Sequence, residues 1–264
     1  MRSRSFVLGF VIVMGSQTAS AQWLNHPTPG IPRTADGKPN LAAPAPKAAD
    51  GKPDLSGLWA LSRNPPRNAP AVGVGPNLDD YMRPGESIPP MLPAAEALYR
   101  QRRANQSADR PSGHCLPHGI PDQMLLGAPI KIVQNPGLTL ILYEEFTRFR
   151  QIFTDGRGHP PVATPAWFGF SVGKWEGDSF IVETRGFNDK SWLDDYGRPH
   201  TEALHTIERF GRRDFGHMEV EITIDDPQSY TKPWSFPLQF QLLADTELIE
   251  DVCDNEKDVV HLRH

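Results

Sequence analysis

The chain has 264 residues, 38% of them hydrophobic, and a formal net charge of -5 with no block of Lys or Arg. That length and hydrophobic share support one large domain or two small ones, and the charge distribution gives neither nucleic acid nor an anionic membrane surface as an expected partner. Twenty-seven prolines, most of them before residue 166, predict an extended N-terminal part followed by a regular one.

Residues 1–21 read as a signal peptide. Arg2 and Arg4 precede an apolar run from Phe6 to Met14, and Ala19-Ser20-Ala21 supplies a small-x-small cleavage site. Ser16, Gln17 and Thr18 interrupt the run before it reaches the ~20 apolar residues of a membrane span. Cleavage after Ala21 and a periplasmic or secreted mature protein without a membrane span are expected. Cys115 and Cys253 are an even pair in a compartment where disulfides persist, so a bridge between them is expected. Metal ligation with His114, His118, His261 and His264 is the alternative, although no C-x2-C spacing accompanies them.

Residues 22–55 form a Pro-rich arm in which Ala35-Asp36-Gly37-Lys38-Pro39 returns as Ala49-Asp50-Gly51-Lys52-Pro53. Asp-Gly followed by Pro is turn chemistry, so two similar turns are expected on the domain surface. Residues 56–264 read as a single β-domain. Gly57-Leu58-Trp59 opens a first strand ending near Leu61, and residues 62–126 make a loop excursion that holds one helix, Ala94 to Arg103, with Pro93 at its first turn. Arg100, Arg102 and Arg103 suit a solvated face or the helix C-terminus.

From residue 127 the pattern has period two. Ile130 to Gln134 and Leu138 to Tyr143 flank an Asn-Pro-Gly turn. Further runs are Phe146 to Phe153, Phe168 to Trp175, Phe180 to Thr184, Ala203 to Phe210, His217 to Ile224, Phe236 to Leu242 and Leu248 to Cys253. In His217 to Ile224 four apolar side chains alternate with four polar ones, which predicts one buried face. Seven to nine strands joined by short turns and without intervening helices predict a mainly β fold, an antiparallel meander closed into a barrel or a strongly curled sheet.

The motifs Ser171-Val172-Gly173-Lys174-Trp175-Glu176-Gly177-Asp178-Ser179, Glu183-Thr184-Arg185-Gly186-Phe187-Asn188-Asp189 and Ile224-Asp225-Asp226-Pro227 resemble a family of secreted bacterial proteins. The resemblance implies export and carries no activity with it. Gly57-x-Trp59 at the head of a meander is similar to the first-strand signature of lipocalin-like barrels. That likeness implies a barrel holding an apolar small molecule in its mouth and, in a few relatives, hydration or isomerisation.

The densest chemistry lies in the connection from Asn188 to Glu202. His200 is the expected general acid or base, with Glu202, Asp195 and Asp194 as its carboxylate partners. Trp192 and Tyr196 offer a flat platform, and Asn188, Glu208 and His118 complete the expected substrate contacts. Glu208 fits equally a structural pair with Arg148 or Arg150. His200, Glu202 and His205 have a metal-like spacing, but on a strand His205 faces away from the other two. The second candidate segment, Ser112 to Gly119, reads as a disulfide-anchored loop whose histidines could face the same opening. Tyr230, Lys232 and Trp234 read as a rim.

No nucleophile elbow, P-loop, dinucleotide fingerprint or haem motif occurs, so neither cofactor nor metal is expected. The sequence reading is an exported, cofactor-free enzyme doing acid-base chemistry on a small hydrophobic, cyclic or aromatic molecule, with a non-catalytic small-molecule binding protein as the alternative.

Overall fold

The computed structural model describes residues 26–62, 77–161 and 164–253. The signal-peptide reading, His261 and His264 lie outside them. Nine strands close into one barrel in chain order: β1 Gly57–Leu61, β2 Ile130–Asn135, β3 Leu138–Tyr143, β4 Arg148–Phe153, β5 Phe170–Glu176, β6 Ser179–Arg185, β7 His205–Arg212, β8 His217–Asp225 and β9 Trp234–Leu242. The chain also forms the helix α1, Pro93–Ala104, and the single turn α2, Asp122–Leu125.

Neighbouring strands are antiparallel except β4 and β5, which pair in parallel through Ile152 with Ser171 and Phe153 with Val172. The mainly β meander barrel expected from the sequence is present; the one parallel pair departs from its antiparallel pattern, and the reason is parity. Strands that alternate direction cannot close a ring of nine, so one pair must run parallel. After residues 154–169 the first residues of β5 lie beside the last residues of β4. The run Leu248 to Cys253, expected as a strand, has no regular structure.

The alternation behaves as read: Met218, Val220, Ile222 and Ile224 of β8 are all buried. Trp59 is fully buried, donates from Nε1 to the Leu55 carbonyl at 3.0 Å, and lies under the Arg212 guanidinium at 4.8 Å. Arg212 ends β7, at the end of the barrel where β2–β3, β5–β6 and β7–β8 are joined by short turns.

The registers put the longer connections 62–129, 186–204 and 226–233 together at the opposite end, where residues 154–169 also arrive. Ile120, Met124, Leu125, Phe187, Leu193 and Leu204 from these connections are continuous with the barrel core, so this end is plugged by packed side chains. The arm forms the two turns anticipated from its repeat, bridged Arg33 to Pro39 and Lys47 to Pro53. Gly37 and Gly51 stand at φ +81 and +78, in the left-handed region that excludes most side chains.

Candidate functional site

Three chain segments meet in the loop layer. The stretch before β2 brings Arg110, His118 and Asp122; the β3–β4 turn brings Glu145 and Phe146; the β6–β7 connection brings Asp194, Asp195 and Arg198. Cys115 is bonded to Cys253, with Cα atoms 5.5 Å apart, so the expected disulfide is present and ties the chain's tail to this layer. His118 lies in the irregular stretch before α2 and Asp122 is the first residue of α2, and the turn between them brings the two side chains together.

His118 Nδ1 lies 2.7 Å from Asp122 Oδ2. A carboxylate accepts, so Nδ1 carries the proton and donates it. The other nitrogen, Nε2, has no hydrogen-bond partner and sits 3.7 Å from Glu145 Oε1. Arg110 reaches Asp195 Oδ2 at 3.0 Å, while Asp195 Oδ1 and Asp122 Oδ1 are unpartnered. His118, Asp122 and Asp195 are only 4%, 2% and 3% exposed. Arg110 and Glu145 are each 28% exposed at the side chain and mark the side facing solvent.

The electrostatics follow from that burial. Desolvation disfavours the imidazolium of His118, but the adjacent Asp122 carboxylate and its hydrogen bond, with help from Glu145, outweigh it and lift His118 to about 9. Burial, reinforced by repulsion from Asp122, pushes Asp195 up to about 7 against the attraction of Arg110 and His118. The cluster therefore offers a cationic acid beside a carboxyl group poised near neutrality, the separation that divides acid and base roles between two groups. Among the described residues, His118, Asp122 and Asp195 are also the one group with metal-ligand spacing, their ligand atoms within 4.8 Å of one another.

The residues expected from sequence fall in different places. Asp195 and His118 belong to the cluster. Asp194 is structural: it accepts from the backbone N–H of Leu78 at 3.0 Å, Tyr196 at 3.1 Å and Arg198 at 3.2 Å, and pairs with the Arg198 guanidinium. Asn188 Oδ1 closes a local turn onto Lys190 N at 3.1 Å. Trp192 and Tyr196 face α1, under the guanidinium groups of Arg102 at 4.5 Å and Arg103 at 4.3 Å. Those arginines, read as a solvated face or as charge at the helix C-terminus, lie in the last turn of α1 and also clamp the β6–β7 connection. Glu208 is buried inside the barrel against Arg150, the structural option among those weighed.

His200 is buried, and Glu202 is exposed in the turn before β7. The hydrogen bonds of His200 run to Ser191 Oγ at 2.7 Å and the Thr201 carbonyl at 3.1 Å. A carbonyl only accepts, so Nδ1 is protonated and Nε2 receives the Ser191 hydroxyl. Ser191 packs against Gly119: a Cβ on Gly119 would lie 2.4 Å from Ser191 Oγ. His200 thereby braces the residue next to His118. His205 lies 3.7 Å from Glu183, apart from His200's contacts. Tyr230 donates to the Pro199 carbonyl at 3.1 Å, and Trp234 is buried at the start of β9.

Burial holds His200 below the ordinary histidine range. A depressed histidine binds its proton more readily in the unfolded chain, so its contribution is complete above about pH 6.5 and fades as pH falls. Urea midpoints of wild type and His200→Gln should differ most at pH 8 and converge toward pH 5, with a slope of at most ~1.4 kcal/mol per pH unit. A pH-independent difference would contradict the buried neutral ring.

Sequence reading missed Asp122, Arg110 and Glu145. The usable signal was the four-residue spacing of His118 and Asp122. The fold and this site define a plugged, nine-stranded mixed barrel with a buried acid-base cluster in its loop layer. Comparisons with family models, with curated proteins and with solved structures find no match.

Proposed function

We propose that the protein is an exported enzyme that transfers protons on a small cyclic or aromatic molecule at the His118–Asp122–Asp195 cluster. The observation that carries this reading is the convergence of three buried ionisable side chains, each with one polar atom unused. Buried polar atoms normally find partners, and unpaired ones are costly unless a ligand or water completes them. Asp195 serves as base, His118 as acid oriented by Asp122, and Arg110 holds Asp195 in place. The Cys115–Cys253 bond supports export, since such bonds persist in oxidising compartments. No helix among the described residues is long and apolar enough to cross a membrane.

The test is untargeted mass spectrometry of a metabolite extract incubated with wild type, His118→Gln or Asp195→Asn. New masses with wild type, reduced about 10²- to 10⁴-fold in either variant, are expected. Undiminished turnover in both variants would remove the cluster from the chemistry.

A second reading, a binding protein without turnover, draws on a different feature. Phe149, Phe153, Phe168 and Phe170 line a cleft of about 200 Å³ where β4 and β5 pair through only two residues. Compounds retained by all three proteins without a new product would favour it.

A further inference from the structure

We propose that His118, Asp122 and Asp195 together bind one divalent first-row metal ion, and that the ion switches off the proton transfer assigned to them above. The inference rests on that reading of the cluster as the working site and adds a regulator to it.

The chemistry of the donor set is suited to such an ion. One imidazole and two carboxylates are the nitrogen and oxygen ligands that Zn²⁺ and Mn²⁺ accept. Their ligand atoms already lie within 4.8 Å of one another. Ligands bound at ~2.0–2.2 Å stand at most about 4.4 Å apart across an ion, so modest closure completes the shell. The independent observation is that Asp122 Oδ1 and Asp195 Oδ1 are buried and lack partners, while His118 Nδ1, 2.7 Å from Asp122 Oδ2, offers the imidazole lone pair once the ion takes the place of its proton. Arg110, 3.0 Å from Asp195 Oδ2, supplies the outer hydrogen bond that ligating carboxylates commonly keep. Three protein ligands leave a position for water on the side of Glu145 and Arg110. The inhibition follows from the lone pairs: a metal on Asp195 takes the lone pair that would accept a substrate proton, and a metal on His118 Nδ1 displaces the proton that makes the ring a cationic acid. Two other charged groups among the described residues are spent internally. Lys131 pairs with Glu247 at 2.5 Å, and Arg212 is bound to the carbonyls of Asp54, Asp214 and Phe215.

Purified, disulfide-intact protein, first stripped with a chelator, is dialysed against Zn²⁺ or Mn²⁺ alone and its metal content measured. About one ion per chain is expected, with the dissociation constant raised more than about tenfold in His118→Gln and in Asp195→Asn, since even outer-shell changes cost 10- to 100-fold. Should either variant fold poorly, Mn²⁺ added to unaltered protein should broaden the imidazole NMR signals of His118 ahead of those of His205 and His217. Absence of stoichiometric binding, binding unchanged in both variants, or equal broadening of all three histidines would overturn the inference. Turnover by metal-free protein that Zn²⁺ lowers and chelator restores supports the switch. Turnover that requires the ion retains the site but overturns its inhibitory role. A protein that binds no metal yet loses turnover in His118→Gln overturns this inference and leaves the acid-base reading intact.

Discussion

Replacing Arg150 with Met should destabilise the protein by about 3–5 kcal/mol, because it leaves the Glu208 carboxylate charged and unpaired inside the barrel. Arg150 on β4 and Glu208 on β7 are essentially without solvent exposure, at 1% and 0% of their side chains. Arg150 Nη1 donates to Glu208 Oε1 at 2.9 Å and Nη2 to Glu208 Oε2, while Nε reaches Ser171 Oγ at 2.9 Å and Nη2 also reaches Thr184 Oγ1 at 2.7 Å. The guanidinium thus ties together β4, β5, β6 and β7, and it does so beside the β4–β5 seam, where only two residue pairs are in register. Breaking one side of a buried pair costs far more than removing both. The double variant Arg150→Met/Glu208→Leu should therefore recover most of the loss. Urea denaturation of the two single variants and the double variant measures the coupling directly. A cost under about 1 kcal/mol for Arg150→Met would mean that the pair is solvated.

This pair also shows where sequence reading stops. Alternation along β7 gives the face on which Glu208 lies, but the identity of its partner depends on which strands become neighbours in the closed ring. The same limit applies to strand direction. Period-two patterns in Phe146 to Phe153 and Phe168 to Trp175 are identical for parallel and antiparallel pairing, and only the odd strand count forces one parallel pair. An expected count of seven to nine strands, with Leu248 to Cys253 among the candidate runs, left that parity open. The barrel itself, helix α1, the two arm turns and the disulfide were legible because each rests on local chemistry: alternation, helix formers after Pro93, Asp-Gly turns and cysteine parity.

The candidate site was legible in halves. Asp195 and His118 stood out as reactive types in irregular segments, yet 77 positions separate them and only the gathering of the long connections at one barrel end makes them neighbours. His200 was attractive for the same local reasons and proved buried against Ser191. A histidine in a polar loop reads the same whether it faces a substrate or braces a backbone; burial separates the two, and burial is a tertiary property. Asp122 was overlooked because Pro121-Asp122-Gln123 looks like any loop, although its spacing from His118 is that of one helical turn.

Removing the disulfide should affect stability and the site together. Cys115 and Cys253 are 138 positions apart, and opening a loop of that size releases chain entropy in the unfolded state worth about 5 kcal/mol in the loop-closure description. Cys115→Ser/Cys253→Ser should lower the urea-derived stability by roughly that amount, less any relaxation of the native loop. The functional consequence follows from what the tail touches. Asp251 accepts from Phe146 N at 3.3 Å and, through its carbonyl, from Thr147 Oγ1 at 2.9 Å, and Glu144 accepts from Ile249 N at 3.2 Å. The tail therefore holds the β3–β4 turn, whose Phe146 ring lies 5.5 Å from the His118 ring and whose Glu145 faces His118 Nε2. With the bond gone, hydrogen exchange should rise in residues 111–125 and 144–147 while β6, β7 and β8 stay protected. Turnover should fall at temperatures where the barrel is still folded, because both walls of the site lose their shared anchor. Uniform loss of protection across the barrel strands would instead make the bond a global staple without a particular role at His118.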